Sequence, residues 1–170
     1  MRRVIAFAPL AALLAAVGLF AGWSLRHGPQ VTPMAMVGKP LPALDLVRLD
    51  GAGHMPLRAA AKGPALVNFY ASWCAPCAAE SPALLALKAE GVRIIGVAYK
   101  DDRTASKGFL QRLGDPYAVS LADPDGSAGI EFGLTGVPET YAVDAAGVIR
   151  AKRAQPIDAA DAEALLAAAD

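Results

Sequence analysis

The stretch Ala71-Ser72-Trp73-Cys74-Ala75-Pro76-Cys77-Ala78-Ala79-Glu80 holds both cysteines of the 170-residue chain. Two cysteines in an exported protein most often form a structural disulfide. In the chain-entropy model, a disulfide across so short a loop contributes only about 2 kcal/mol, against about 4.7 kcal/mol for a loop of about 100 residues. The spacing therefore disfavours a structural cross-link and favours a pair of cysteines with a chemical role.

A metal site is the second interpretation of such a C-x-x-C pair. A structural zinc ion needs four ligands, and beyond the cysteines the chain offers only His27 and His54, neither at zinc-ligand spacing. Covalent haem attachment needs a histidine directly after the second cysteine, where this chain has Ala78. We therefore predict no metal and no cofactor.

A redox-active dithiol is the third interpretation, and the flanking sequence agrees with it. The apolar run 64–70 predicts a β-strand, and residues 77–90 predict a helix that ends at Gly91. Cys74 is then at the helix N-terminus, where unpaired N–H groups and the helix dipole stabilise a thiolate. We predict that Cys74 is the attacking sulfur and Cys77 the resolving thiol.

Two neighbours of the cysteines fit this arrangement as supporting residues. Pro76 suits the first turn of a helix, because a backbone N–H there has no partner to lose. Trp73 either packs against the domain or shapes the surface that a partner disulfide must approach.

An apolar strand running into Trp-Cys-x-x-Cys resembles the thioredoxin superfamily. The stretch Gly136-Val137-Pro138-Glu139-Thr140 precedes a predicted strand at the place where that superfamily carries a cis-proline beside its active-site cysteines. Only about 5–6% of X-Pro bonds are cis, so the chain by itself would predict a trans bond. The resemblance implies that Pro138 is cis.

Four further segments narrow the resemblance to the membrane-anchored thioredoxin-like proteins of cytochrome c maturation, the CcmG or DsbE family. They are residues 96–102, 113–117, 122–126 and 132–140. This resemblance extends from about Val37 to the C-terminus. It implies a reductant that acts on the CxxCH disulfide of apocytochrome c, or of a maturation component carrying it, before haem is attached. It also implies a membrane electron donor that draws on cytoplasmic thioredoxin.

Two carboxylates are candidate site residues. Glu80 follows Cys77 by three residues, so on a helix it shares a face with that thiol and could move its proton. The matching position of the buried aspartate of generic thioredoxins is Asn68, which cannot titrate, and this departure favours Glu80 as the base. The alternative for Glu80 is a solvated helix surface. Glu139 matches an acidic residue of the family's active-site groove, and its alternative is a purely structural role.

The N-terminus predicts a membrane anchor. The segment 4–25, about 22 residues without a charge, follows Arg2 and Arg3. As a helix it would span roughly 33 Å, enough for a hydrocarbon core of about 30 Å. A cleaved signal peptide is the alternative, but residues 18–23 are a poor cleavage site. The arginines keep the N-terminus in the cytoplasm, so we expect a single-pass protein of the inner membrane with its redox domain in the periplasm.

We predict three parts: an anchor over residues 1–26, a linker over 27–37 and a thioredoxin-like domain over 38–170. The domain is predicted to be α/β, a central mixed sheet flanked by helices, with an N-terminal hairpin and an insertion over residues 101–133. The insertion includes a helix with Phe109 and Leu113 facing inward. The 16 basic and 16 acidic side chains form no basic stripe, so nucleic acid is not an expected partner.

Other functions stay open. One is a general extracytoplasmic thiol reductase with different clients. Another is a carrier that holds copper on the two thiols, which the scarcity of His and Met near the motif disfavours. A peroxidase of the related redoxin group is less well supported, because no threonine-containing peroxidatic motif precedes Cys74.

Overall fold

A computed structural model describes residues 13–19 and 34–169 of the chain. Residues 13–19 are helical. Among all the described residues, no helix combines the length and the apolar character needed to cross a membrane. Most of the predicted anchor over residues 1–26 and of the linker over 27–37 lies outside the described residues, and both stay predictions.

Seven strands form one mixed sheet. They are β1 (Asp45–Arg48), β2 (His54–Pro56), β3 (Ala65–Tyr70), β4 (Ile94–Tyr99), β5 (Val119–Asp123), β6 (Glu139–Val143) and β7 (Ile149–Arg153). Their order in the sheet is β2-β1-β5-β4-β3-β6-β7. Strands β3, β4 and β5 are parallel neighbours, and every other pairing is antiparallel. The predicted parallel pair and the predicted hairpins at both ends of the domain are confirmed.

Five helices accompany the sheet: α1 (Leu57–Ala60), α2 (Ala75–Ala89), α3 (Arg103–Leu113), α4 (Ser127–Phe132) and α5 (Ala159–Ala169). Apolar side chains of α2, α3 and α5 share one buried cluster with the sheet. Those of α1 and α4 share a second cluster, on the opposite face of the strands. The sheet is therefore covered on both faces, as an α/β fold requires.

Strand β3 is the centre of this arrangement, because all six of its residues are buried. Successive side chains of a strand point to opposite faces. Leu66 and Tyr70 accordingly join the cluster of α2, α3 and α5, while Val67 and Phe69 join the cluster of α1 and α4. Asn68 lies between Leu66 and Tyr70 on the α2 face and is the one polar side chain of the strand.

The predicted insertion is a structural part of the sheet, since its strand β5 lies between β1 and β4. One detail of its helix was predicted incorrectly. Phe109 is buried as expected, but Leu113 is 36% exposed and Leu110 is buried instead. Leu113 is the last residue of α3, and Gly114, with a φ of 93°, turns the chain away directly after it.

Strand register brings two distant segments to one edge of the sheet. Helix α2 begins shortly after β3 ends at Tyr70. Strand β6 runs antiparallel to β3, with Glu139 opposite Phe69 and Thr140 opposite Asn68. The residues that precede β6 are therefore held at the same edge as the start of α2.

Gly96 of β4 makes room for the ring of Tyr117, since a Cβ at this position would lie 2.5 Å from Tyr117 Cδ2. We expect Gly96→Ala to lower the free energy of unfolding by about 1–3 kcal/mol, because the added methyl group must displace a buried ring. Equilibrium unfolding of the full chain in urea measures the change.

Gly108→Ala is the matched control for this substitution. Gly108 lies inside α3, where a new Cβ would meet only the flexible end of Arg112, at 3.4 Å. Alanine should therefore raise the free energy of unfolding, by up to about 1 kcal/mol. A Gly96→Ala protein as stable as the parent would contradict the close packing of Tyr117 on β4.

Candidate active site

Cys74 and Cys77 form a disulfide with an S–S distance of 2.06 Å and a Cα–Cα distance of 5.3 Å. Cys74 is the N-cap residue of α2, and Pro76 lies in the first turn, as predicted. The backbone N–H of Cys77 donates to Cys74 Sγ at 3.1 Å. The sulfur thus takes the place of the side-chain oxygen in an ordinary N-cap, where the helix terminus favours negative charge.

The loop that precedes β6 faces Cys74 Sγ. The Val137–Pro138 peptide bond is cis, as predicted. The carbonyl oxygen of Val137 lies 3.5 Å from Cys74 Sγ. The antiparallel pairing of β6 with β3 places this loop beside the cysteines, and Cys74 is the cysteine it contacts.

Trp73 is the exposed feature beside the disulfide. Trp73 is 61% exposed, whereas Cys74 is 4% and Cys77 2% exposed. The indole Nε1 donates to the carbonyl oxygen of Lys100 at 3.3 Å. Of the two predicted roles of Trp73, the geometry favours the surface role, because a partner approaching the recessed disulfide would meet the indole ring.

The turn between β3 and α2 is held by Asp101, a contact that the sequence did not predict. Asp101 Oδ2 accepts from the Ser72 N–H and from Ser106 Oγ, both at 2.7 Å, and Oδ1 accepts from Ser72 Oγ at 2.8 Å. The next residue, Asp102, is the N-cap of α3, and its side chain accepts from the N–H groups of Thr104 and Ala105. The contact could have been predicted from chain order, because Asp101 follows β4 and the carboxyl end of β4 lies beside that of its parallel neighbour β3.

Glu80 is buried, so its interpretation as a solvated surface residue is wrong. The residue is 1% exposed. Oε1 accepts from Asn68 Nδ2 at 3.0 Å, and Oε2 accepts from the Ile157 N–H at 3.1 Å. Burial raises the pKa of Glu80 to about 7, against the opposing effect of these two hydrogen bonds. Three residues after Cys77 on α2, Glu80 is on the same helix face as that thiol.

Asn68 connects Glu80 to two further side chains that the sequence did not identify. Asn68 Nδ2 also donates to Thr140 Oγ1 at 3.0 Å, and the Tyr117 hydroxyl donates to Asn68 Oδ1 at 2.7 Å. Burial raises the pKa of Tyr117 well above its ordinary value, so this hydroxyl keeps its proton. One feature of the sequence does point to such partners: Asn68 is a polar residue within an otherwise apolar strand, and a buried amide needs hydrogen bonds.

Glu139 is equally buried but has different partners. Lys152 Nζ lies 2.9 Å from its Oε2, and both side chains are almost fully buried. The Thr135 N–H donates to Oε1 at 3.0 Å, and the Tyr141 hydroxyl donates to Oε2 at 2.7 Å. Glu139 therefore ties the loop before Pro138 to β7 through a buried ion pair, and its predicted role in the groove stays a prediction.

Residues 36–166 match the Redoxin family. Over 160 residues the chain is 42% identical to the thiol:disulfide interchange protein DsbE of Pseudomonas aeruginosa, covering 93% of this chain and 88% of the relative. Over 158 residues it is 39% identical to the thiol:disulfide interchange protein HelX of Rhodobacter capsulatus, covering 92% and 90%. The fold resembles the structure of MTB DsbF, with a TM-score of 0.67, 26% identity, and coverage of 75% of this chain and 96% of that one. The chain therefore belongs to the Redoxin family, as a thioredoxin-like thiol:disulfide interchange protein of the DsbE and HelX type.

Proposed function

We propose that this protein is a periplasmic reductant of cytochrome c maturation that reduces the CxxCH disulfide of apocytochrome c, or of a maturation partner, before haem is attached. The observation that carries the chemistry is the Cys74–Cys77 disulfide at the N-terminus of α2, with Cys74 Sγ facing the Val137 carbonyl. The resemblance of four separate segments to cytochrome c maturation proteins supports the direction of the reaction and the substrate.

The reaction begins with the reduced protein and leaves it oxidised. The Cys74 thiolate attacks one sulfur of the substrate disulfide, forming a mixed disulfide, and the other substrate sulfur leaves as a thiolate that takes up a proton. Cys77 then loses its proton and attacks Cys74 Sγ, which forms the Cys74–Cys77 disulfide and releases the second substrate thiol. Two electrons pass from the protein to the substrate in this exchange.

Glu80 is the base for the second step. It shares a helix face with Cys77, and burial brings the pKa of Glu80 to about 7. A base with a pKa near the working pH combines a useful ionised fraction with a strong tendency to take up a proton. Because only the ionised carboxylate can accept the proton of Cys77, the step should accelerate as the pH rises through this pKa.

The same proposal includes a place in the cell. The uncharged segment 4–25, after Arg2 and Arg3, supports an anchor over residues 1–26 in the inner membrane, with the N-terminus in the cytoplasm. A linker over residues 27–37 then carries the domain over 38–170 in the periplasm. A membrane electron donor fed by cytoplasmic thioredoxin returns the Cys74–Cys77 disulfide to the dithiol.

The substrate can be identified by trapping the mixed disulfide. In a host that makes c-type cytochromes, Cys77→Ser leaves Cys74 able to form mixed disulfides that the protein cannot resolve. We expect mass spectrometry of the adducts to identify apocytochrome c or its maturation partners.

The double variant Cys74→Ser with Cys77→Ser is the control for this trap and should yield no adducts. Adducts with many unrelated periplasmic proteins would contradict the proposed function and would indicate a general thiol reductase. If Cys77→Ser forms no adducts at all, Cys74 is not the attacking sulfur.

The role of Glu80 can be tested by separating the two thiol steps. The reduced full-length protein, in detergent, reacts with dithiobis(nitrobenzoate), which releases one coloured thionitrobenzoate when Cys74 attacks and a second when Cys77 resolves the adduct. We expect Glu80→Gln to slow the second release at pH 7 by about 100-fold, the lower end of general-base effects, and to remove its inflection near pH 7.

The first release is the internal control, because Cys74 attacks without a base and should react at nearly the parental rate. Ser81→Ala is the neighbouring control variant, since the hydrogen bond that Ser81 Oγ makes among the described residues goes to the Cys77 carbonyl, at 3.1 Å, and not to the thiol. A second release by Glu80→Gln with the parental rate and pH profile would show that Glu80 is not the base.

A further inference from the structure

Asn68 is a buried amide whose two N–H groups and carbonyl oxygen all have partners. The two N–H groups of Nδ2 donate to Glu80 Oε1 and Thr140 Oγ1, both at 3.0 Å, and Oδ1 accepts from Tyr117 at 2.7 Å. A buried amide without such partners would destabilise the fold. The presence of Asn68 in the central strand is therefore explained by these three hydrogen bonds.

The orientation of the amide is determined by two of the three partners. If the amide turned over, Oδ1 would face the Glu80 carboxylate, and two acceptors would meet without a proton between them. The Tyr117 proton would then lose Asn68 Oδ1, which is its only acceptor in the described part of the chain. The Thr140 hydroxyl is indifferent, because it can accept from an N–H or donate to an oxygen.

Within residues 13–19 and 34–169, Glu80 has hydrogen-bond donors around it and no opposite charge. Burial raises the pKa of Glu80, and the hydrogen bonds from Asn68 and Ile157 lower it. Of the titratable groups, Cys77 lies three residues before Glu80 on the same helix, and Tyr117, which precedes β5, is close enough to interact with its charge. The segment before α5 donates the N–H of Ile157. Among the described residues, Asn68 is therefore the one side chain that donates to this carboxylate.

We propose that Asn68, oriented by the Tyr117 hydroxyl, is a positioning residue that keeps Glu80 ionised as the proton acceptor for Cys77. Each oxygen of Glu80 uses one lone pair for its donor, Asn68 or Ile157, and the remaining lone pairs are available for the proton of Cys77. The inference rests on the proposed role of Glu80 as the base.

Asn68→Leu replaces the amide with an apolar side chain of similar size and removes the donor to Glu80. Loss of a hydrogen bond to a charged group should raise the pKa of Glu80 by about one unit. We therefore expect the inflection in the second thionitrobenzoate release to move up by about one pH unit, while the rate at the high-pH plateau stays near the parental value. Tyr117→Phe should move the inflection in the same direction.

Thr140→Val is the matched control, because it removes a hydrogen bond from the same amide without affecting the donor to Glu80. It should leave the inflection where the parent has it. If Asn68→Leu lowers the rate equally at every pH, or shifts the inflection no more than Thr140→Val, Asn68 has only a structural role and the inference is overturned.

A direct titration separates this inference from the proposed role of Glu80. The carbon-13 chemical shift of the Glu80 carboxyl, followed against pH in the oxidised protein, should report a higher pKa in Tyr117→Phe than in the parent, even if Asn68→Leu does not fold. An unchanged pKa overturns the inference while leaving Glu80 as the base. If Glu80→Gln leaves the second release unchanged, the base assignment fails, and the inference fails with it.

Discussion

The pairing of β3 with its two neighbours is the constraint on which the redox site depends. Thr140 on β6 and Gly96 on β4 both lie opposite Asn68. On one side, this register puts the Thr140 hydroxyl beside the Asn68 amide and places the loop with Val137 against Cys74. On the other side, the absence of a side chain at Gly96 admits the Tyr117 ring, whose hydroxyl reaches Asn68. The register of β3 with its two neighbours thus places Val137 beside Cys74 and also places Thr140 and Tyr117 within hydrogen-bonding distance of Asn68.

The two buried glutamates show how the same fold can give one residue type two environments. Glu139 faces the ammonium of Lys152 at 2.9 Å, so its charge is balanced inside the protein. Glu80 has no cation among its described contacts and is held only by neutral donors. Its pKa rises from an ordinary 4.5 to about 7, so the folded chain binds this proton more tightly than the unfolded chain. Its contribution to stability is therefore greatest below about pH 4.5 and declines by about 3 kcal/mol as the pH rises through 7.

Features fixed by local patterns could be predicted from the sequence. The apolar run 64–70, the helix that starts at the cysteines and the two hairpins all follow from periodicity and turn residues, and the family resemblance supplied the cis form of Pro138. The burial of Glu80 could also have been predicted from the sequence. Cys77, Leu84 and Leu87 mark a buried stripe at helical spacing, and Glu80 lies on it.

The contacts that give Glu80 its properties could not be predicted in this way. Ile157 is 77 positions from Glu80, and Tyr117 is 49 positions from Asn68. Such partners are set by strand order and by the path of the chain after β7, which no local periodicity encodes. The same holds for the ion pair of Glu139 with Lys152, which joins neighbouring strands. Leu113 shows that a local pattern can also mislead. Its spacing from Phe109 fits the inward face of α3, but Leu113 is the last residue of the helix and stays partly exposed.

The location of Glu80 also gives the proposed exchange an order. In the proposed reduced protein, a Cys74 thiolate three residues before Cys77 and an ionised Glu80 three residues after it would be like charges, and removing the Cys77 proton would add a third. Formation of the mixed disulfide turns the Cys74 thiolate into a neutral sulfur. Only then does transfer of the Cys77 proton to Glu80 avoid two thiolates within one helical turn. A neutral hydrogen-bond network serves this order better than a buried cation would, because a permanent counter-charge would lower the pKa of Glu80 and weaken it as a base.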